Sequence, residues 1–389
     1  MMKYYSVPAD FKNSTIDGYA MLNEKYQDSK IIETYGQVTL GNKLGSGRSV
    51  DLLPKIDFED LSRYVEYSKS KGINFNYTFN ASQLNNIEFT EDGIKEIKKY
   101  LLEVYKIGIR SLTVALPSLF EIVKSTGLDF KIKTSAICQI TNVNKAMIYK
   151  KMGADRIVVD ETCNRDFELL KNIREAYGEK VEIIVNAICY KDCIYRMFHY
   201  NQLSVDSIKV VSKASSAYYP NRCMLKRYEN IGNILKLAWV RPEDIKHYEN
   251  IGIQHFKIQG RHNVVEGDPI RAMECYFKES YDGGLLELMN LFASSSAFNV
   301  FVDNKKLDKF IEPFINLKDF CTRNCEKCNY CENYIKNIVN YEDAKKVMDS
   351  SNEFYKENDE FKILLKKIGE EVKETEEEEE DDVDIDFAF

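Results

Sequence analysis

No apolar run in the chain approaches the ~20 residues needed to cross a bilayer, which argues against a helical membrane span. The start, MMKYYSVPADFKNSTIDGYA, lacks a basic segment followed by an apolar one. No secretory signal is therefore expected, and the default compartment is the cytoplasm. There is no HExxH and no Ser/His/Asp arrangement in recognisable context, which leaves out the familiar signatures of zinc proteases and serine hydrolases. No GxGxxG follows the first expected strand, which counts against a dinucleotide-binding open sheet. Histidine is scarce, with four in 389 residues. A strong basic footprint for nucleic acid is also missing. The net charge is -8, but residues 370–389 hold eight Glu and four Asp against one Lys, so the rest of the chain is nearly neutral.

Hydrophobic residues make up 44% of the chain, enough for a sizeable core. The length suits a single barrel with a small appendix. Short apolar runs recur at 31–36, 73–79, 111–116, 130–136, 156–161, 181–187, 234–240 and 255–260. Amphipathic helices are expected between most of them. Leu61, Tyr64, Val65 and Ser68 follow the i, i+3, i+4, i+7 pattern behind an Asp57 cap. Ile94, Ile97, Leu101 and Val104 make a second stripe, and Leu169, Ile173 and Ala176 a third. Eight strands alternating with helices predict a TIM-like (β/α)8 barrel. The expected divisions are a lead segment 1–30, the barrel 31–283, a cysteine-rich appendix 284–345, a charged helix 346–369 and a disordered acidic tail 370–389.

In such a barrel the chemistry sits at the C-terminal ends of the strands. The glycine-rich loop GNKLGSGRSV brings Arg48 there. Asn76 and Asn80 belong to the second expected strand, and Cys138, Asp160, Glu161, Asn164 and Arg165 to the fourth and fifth. The sixth leads into NAICYKDCIYRMFHYN, with Cys189, Cys193, Arg196 and His199. On a helix Cys189 and Cys193 would face the same way. Cys223 returns in the following insertion. Three thiolates at one rim could hold an iron–sulfur cluster or zinc, and buried structural cysteine is the competing reading. Cys138, Cys163 or His199 could supply a fourth ligand. Arg261 and His262 end the last strand, while His247 and His255 read as packing residues.

Ten cysteines in a chain without a secretory signal point to metal or redox chemistry more than to disulfides. Cys321, Cys325, Cys328 and Cys331 form CxxxCxxCxxC, a spacing suited to one tetrahedral zinc or one cubane cluster. The CxxxCxxC core is also the radical-SAM spacing, but it comes after the last expected strand instead of the first. A Cys189–His199 pair is a thiol-protease candidate.

The stretches YGQVTLGNKLGSGRSV, GINFNYTFNA, GADRIVVDETCNRDFELLKNI, VNAICYKDCIYRMFHYN, WVRPEDIKHYENIGIQHFKIQGR and CEKCNYC occur in this order. Together they resemble the collagenase-like peptidase family U32 over about residues 31–335. The resemblance implies a barrel carrying a 4Fe-4S cluster on Cys189, Cys193 and Cys223, with Arg48, Arg165, Arg196, His199 and Arg261 at recurrent polar positions. Arg165, Arg196 and His199 become the catalytic candidates, and Arg48, Asn76 and Arg261 the substrate-binding ones. Relatives of this kind serve oxygen-independent hydroxylation in quinone synthesis or on RNA bases, so a small-molecule or RNA substrate and an electron donor are implied. The family name implies a cysteine- or metal-dependent peptidase instead. A third reading is a zinc-stapled interaction protein whose acidic tail, ending DDVDIDFAF, docks a protein partner. Three positions depart from the related subgroup. Ala187 stands for its Glu, Ile194 for its Pro, and the neighbourhood of Trp239 for its fourth cysteine.

Overall fold

The computed structural model describes residues 1–294 and 298–381, and eight parallel strands form its one sheet. They are β1 (Lys3–Pro8), β2 (Ser29–Gly36), β3 (Asn74–Phe79), β4 (Ser111–Val114), β5 (Lys131–Thr134), β6 (Ile157–Val158), β7 (Val181–Ile184) and β8 (His255–Lys257). Their order is β5-β4-β3-β2-β1-β8-β7-β6. The two ends meet through the isolated parallel bridges Lys133–Arg156 and Ile140–Val159. The expected (β/α)8 barrel is therefore present and closed, although its β5–β6 seam has bridges where the other neighbours have ladders.

Seven strands coincide with expected ones and the eighth does not. Residues 1–30, read as a lead segment, supply β1 and helix α1 (Asn13–Lys25), which form the first βα unit. KYYSVP has no aliphatic run to reveal it. Tyr5 and Val7 are fully buried, with Tyr5 packed on Phe277, while Ser6 turns inward to Glu182. The run ILKLAWV, read as a strand at 234–240, is instead a 3-10 turn over Ile231–Lys236 followed by an extended segment. Its apolar side chains are buried in the core all the same. A short buried apolar run has no periodicity that separates strand from turn.

The outer helices behave largely as their patterns require. They are α2 (Phe58–Ser70), α3 (Glu91–Lys106), α4 (Pro117–Lys124), α5 (Val143–Met152) and α6 (Phe167–Tyr177). Asp57 and Asp60 form a capping box on α2, whose buried face is Leu61, Tyr64, Val65 and Ser68. Helix α5 stops at Gly153, where φ is 92°, a value that favours glycine. In α6 the buried stripe is Phe167, Leu170, Ile173 and Tyr177, rotated from the expected Leu169–Ala176 face because the aromatic residues take the core side. After β7 come α7 (Arg196–Asp206), α8 (Lys213–Glu229) and α9 (Ile245–Asn250), and after β8 comes α10 (Pro269–Phe277).

The Arg-Pro-Glu-Asp stretch joins appendix to barrel. Arg241, 1% exposed, donates to both Asp244 carboxylate oxygens (3.0 and 2.8 Å), to the Asn304 carbonyl (2.7 Å) and to Asp308 (3.0 Å). Further on, two helices stand where one was expected, Tyr341–Glu357 and Glu360–Asp381. Asp359 separates them, capping Lys362 N–H at 3.2 Å and pairing with Arg222 of α8 at 2.6 Å. The acidic stretch expected to be disordered from 370 continues this helix to Asp381. Glutamate is a good helix former, and Lys366–Glu370 and Lys367–Glu371 make i,i+4 pairs. Residues 382–389, most of the expected docking motif, lie outside the described residues.

The centre of the barrel is ionic. Lys133 contacts Glu33 and lies 3.0 Å from Glu182, while Arg156 lies 3.1 and 3.2 Å from the same two carboxylates. Burial pushes both carboxyls up, but Lys133 and Arg156 prevail and hold them below the usual carboxylate range. Removing one partner of a buried pair leaves the other uncompensated. Lys133→Met should lower unfolding stability by about 3–5 kcal/mol, read from the urea midpoint at pH 7. A depressed folded value means that the stabilisation is complete above the ordinary carboxyl value and is lost as pH falls through the folded value. The wild-type midpoint should thus decline below about pH 4, and decline less in Lys133→Met.

Candidate functional site

The C-terminal rim is assembled from loops that follow β2, β5, β6, β7 and β8. The glycine-rich loop after β2 is pinned at two points. Ser46 N–H donates to Ser207 Oγ at the end of α7 (2.7 Å), and Gly47 N–H donates to Asn80 Oδ1 (3.1 Å). A Cβ on Gly47 would lie 2.9 Å from Ile137 Cδ1 and 3.2 Å from Asn80 Nδ2, so the backbone approach needs glycine. This approach carries Arg48 to the rim. Among the described residues Arg48 forms no ion pair, and its charge acts on Arg261, His199, His262 and Cys189.

The expected arginines separate into different roles. Arg196, the first residue of α7, lies 2.9 Å from Asp160 and 2.6 Å from Glu161, both buried after β6, and its Nε donates to the Tyr200 hydroxyl (3.1 Å). Arg196, expected as a catalytic candidate, is thus paired with two buried carboxylates. Arg261 is 6% exposed and donates to Gln37 and to Thr78 (2.9 Å) inside the barrel mouth. Burial and the neighbouring Arg48 bring it down to about 9. Arg165 is buried under the rim, with its guanidinium 4.3 Å from the Trp239 ring centre and 5.0 Å from that of Phe310. It donates to the Leu235 carbonyl, and its Nε and second terminal nitrogen have no hydrogen-bond partner. Asn76 was expected to touch substrate. It is fully buried within β3 and saturated by Ser111 (2.7 Å) and Thr113 (2.6 Å) on the neighbouring strand β4.

The histidines are uncharged at neutral pH. Burial and Arg48 push His199 down to about 4, and its ring stacks on Tyr219 with centroids 5.4 Å apart. Burial, Arg48 and Arg261 push His262 down to about 3, and its Nδ1 is buried without a partner.

None of the ten cysteines is in a disulfide. Cys189 and Cys193 lie on the loop between β7 and α7, not on a helix. The loop is held open by the Tyr190–Leu237 bridge and by Ala238 N–H donating to the Cys189 carbonyl (3.1 Å), so helix starts only at Arg196. Cys223 comes from α8. Electrostatically Cys223 neighbours both Cys189 and Cys193. Burial and Glu161 push the Cys189 thiol up to about 12, and burial raises Cys223. Cys138 donates to the carbonyls of Val114 and Ala115 (3.5 and 3.4 Å), and Cys163 is buried and pushed up to about 12, chiefly by burial.

Cys321, Cys325 and Cys328 are exposed and Cys331 is half-buried. Their loop meets the loop after β7, with Lys191 Nζ 3.8 Å from Cys321 Sγ and Arg323 3.5 Å from Asp192. Among the described residues, no three His, Cys, Asp or Glu side chains stand close enough to share a metal ion. The donor chemistry, two sets of free thiols with soft sulfur ligands only, fits iron–sulfur or zinc.

The family model "Peptidase family U32" matches residues 36–194, which includes Arg48, Arg165, Cys189 and Cys193. The chain is also 30% identical over 332 residues to "Uncharacterized protease MJ1657" of Methanocaldococcus jannaschii, covering 84% of this chain and 96% of that one. The chain belongs to peptidase family U32. Among solved structures, the U32 peptidase Mk0906 is similar at 19% identity and a TM-score of 0.48, over 66% of this chain and 92% of that one.

Sequence reasoning about this U32 chain passed over Gln37, Thr78 and Tyr219, which fix Arg261 and His199. Gln37 and Thr78 stand beside expected strand ends, whereas Tyr219 lies inside α8, where no sequence signal marks it. The contrast between buried and exposed thiols has a direct consequence, because the thiolate is the reactive form. In metal-free protein at pH 8, iodoacetamide should label Cys321 and Cys328 well before Cys189 and Cys163. Peptide mass spectrometry over time checks the order.

Proposed function

We propose that this U32 protein is an enzyme that uses an iron–sulfur cluster on Cys189, Cys193 and Cys223 to modify an anionic, oxygen-bearing substrate at the barrel rim. The reading is an oxygen-independent hydroxylation of a small molecule or an RNA base. The observation that carries it is that Cys189 and Cys193 of one segment and Cys223 of another are electrostatic neighbours at the rim, in the field of Arg48, whose side chain makes no ion pair or hydrogen bond among the described residues.

Cys189, Cys193 and Cys223 would hold the cluster, which when bound supplies electron transfer and Lewis acidity at an open iron. Everything else falls to the chain's own side chains. Arg48 binds the substrate anion. Arg261 adds positive potential without leaving Gln37 and Thr78. Arg196 locks Asp160 and Glu161 beneath the loop that carries Cys189, so the sulfur is positioned by a buried ion pair. His199 and His262, neutral at pH 7, can accept a hydrogen bond without adding charge.

The names of the relatives favour a second reading, a peptidase. A cysteine protease needs a thiolate and a histidine in contact with it. Here burial and Glu161 push the Cys189 thiol up, His199 is stacked on Tyr219, and no hydrogen bond joins Cys189 to His199 among the described residues. The third reading, zinc at Cys321–Cys331 in a non-enzymatic docking protein, rests on the appendix alone.

Anaerobic purification followed by iron and acid-labile sulfide analysis tests the proposal. The expected result is a brown protein with about four irons per cluster, and loss of the rim cluster in Cys189→Ala and Cys223→Ala. A colourless protein free of sulfide would overturn it. So would turnover of a peptide library by metal-free protein.

A further inference from the structure

The opposite end of the barrel holds a cavity that the rim chemistry does not use. Its volume is about 420 Å³, within the range of small-molecule sites. It opens among the N-terminal ends of β3, β4 and β5 and the segments that lead into β6 and β7. Six basic side chains line it, Lys69, Arg110, Lys131, Lys133, Arg156 and Lys180, against two acidic ones, Glu33 and Asp155.

Both acids are already committed. Glu33 is held by Lys133 and Arg156, and Asp155 accepts from Ile132 N–H (2.9 Å) and lies 3.7 Å from Lys131. Lys69 and Lys180 form no ion pair among the described residues. Burial and the charge of Arg110 push Lys69 down, while Arg110 itself lies 3.6 Å from Asp129. The floor is not a surface accident. Lys133 is 2% exposed there and Arg156 17%, so a rigid ion cluster, in which both are paired with Glu33 and Glu182, forms the bottom of the cavity. Arg110 has one fork nitrogen on the Tyr105 and Ile109 carbonyls, and its guanidinium lies 3.4 Å from the centre of the Tyr105 ring. The charges free to meet a ligand are therefore ammonium groups. These suit the diffuse charge of phosphate oxygens more than a single bidentate carboxylate.

We propose that this N-terminal cavity is a binding site for a small molecule carrying an oligophosphate group, separate from the rim. Lys180 and Lys131 clasp the phosphates at the opening, above the paired cluster of Lys133, Arg156, Glu33 and Glu182. Lys133 and Arg156 also belong to the ion cluster that closes the barrel, so an occupant touches the closure and not the reacting groups.

Isothermal titration calorimetry of the full chain in 0.15 M salt, with inorganic triphosphate and with ATP as probes, tests this. Saturable one-to-one binding is expected, weakened at least tenfold by Lys180→Glu and by Lys131→Glu. Lys213→Glu, an equal charge change on α8 at the other end, should leave it unaltered. Circular dichroism confirms that each variant is folded. Equal binding of both probes identifies the oligophosphate as what is recognised, and binding of ATP alone identifies a nucleotide as its source. No saturable binding of either probe would overturn the proposal, as would equal weakening by Lys213→Glu.

Discussion

The ion cluster of Lys133, Arg156, Glu33 and Glu182 is the constraint on which the rest of this barrel depends. Six of the eight strand neighbours share ladders that run from β5 round to β7, with one register shift between Tyr5 and Ser6 of β1, and β7 pairs with β6 over two residues. Between β5 and β6 only isolated bridges complete the ring. Lys133 stands on β5 and Arg156 at the start of β6, the two sides of that seam. Both reach across the interior to Glu33 on β2 and Glu182 on β7. Charges in a poorly solvated centre attract strongly but cost much to desolvate, so such a cluster adds little net stability over an apolar filling. What it adds is specificity, since an unpaired member is costly in any other register.

Closure places the rim, and the same logic of paired charge recurs there. Asp160 and Glu161 follow β6 directly, so their position is set by the seam. Arg196 then fixes the start of α7 against them. The loop from Cys189 to Cys193 is suspended between β7 and that anchor, with the Tyr190–Leu237 bridge in the middle. Ala187 and Ile194 lie at the two ends of this loop, the first fully buried and the second 77% exposed.

How much of this was legible in the sequence depended on what each segment had to bury. The α2 stripe and its Asp57 cap were plain because one face meets core and the other water. The strand β1 was not, since KYYSVP mixes outward aromatics with an inward serine, and polar inward positions erase the usual apolar run. The same cause hid Glu33, Lys133 and Glu182, charged residues of SKIIETYG, KIKT and VEII that only the closed sheet brings together. At the rim, position after a strand end singled out Arg48, Asp160, Arg165, Cys189 and Arg261. It could not tell which arginine was already neutralised, because the partners of Arg196 and Arg261 come from other strands. Asn76 sits mid-strand, and only the register with β4 shows that Ser111 and Thr113 hydrogen-bond to it.

The appendix follows from the same accounting of charge. Phe310, Phe314 and Tyr330 pack around Arg165, and Lys236 pairs with Glu332 at 3.0 Å. Arg165, Lys191 and Lys236 thus all stand close to the four-cysteine loop. Burying an arginine with two unpartnered nitrogens beside two further cations is unfavourable beside neutral thiols. A tetrathiolate metal centre carries net negative charge, and it would relieve that cost while Arg165 and Lys191 in turn stabilised its sulfurs. Lys191 lies between Cys189 and Cys193 in the chain and touches Cys321 in space. Any charge that forms on one sulfur set is therefore felt by the loop that carries the other.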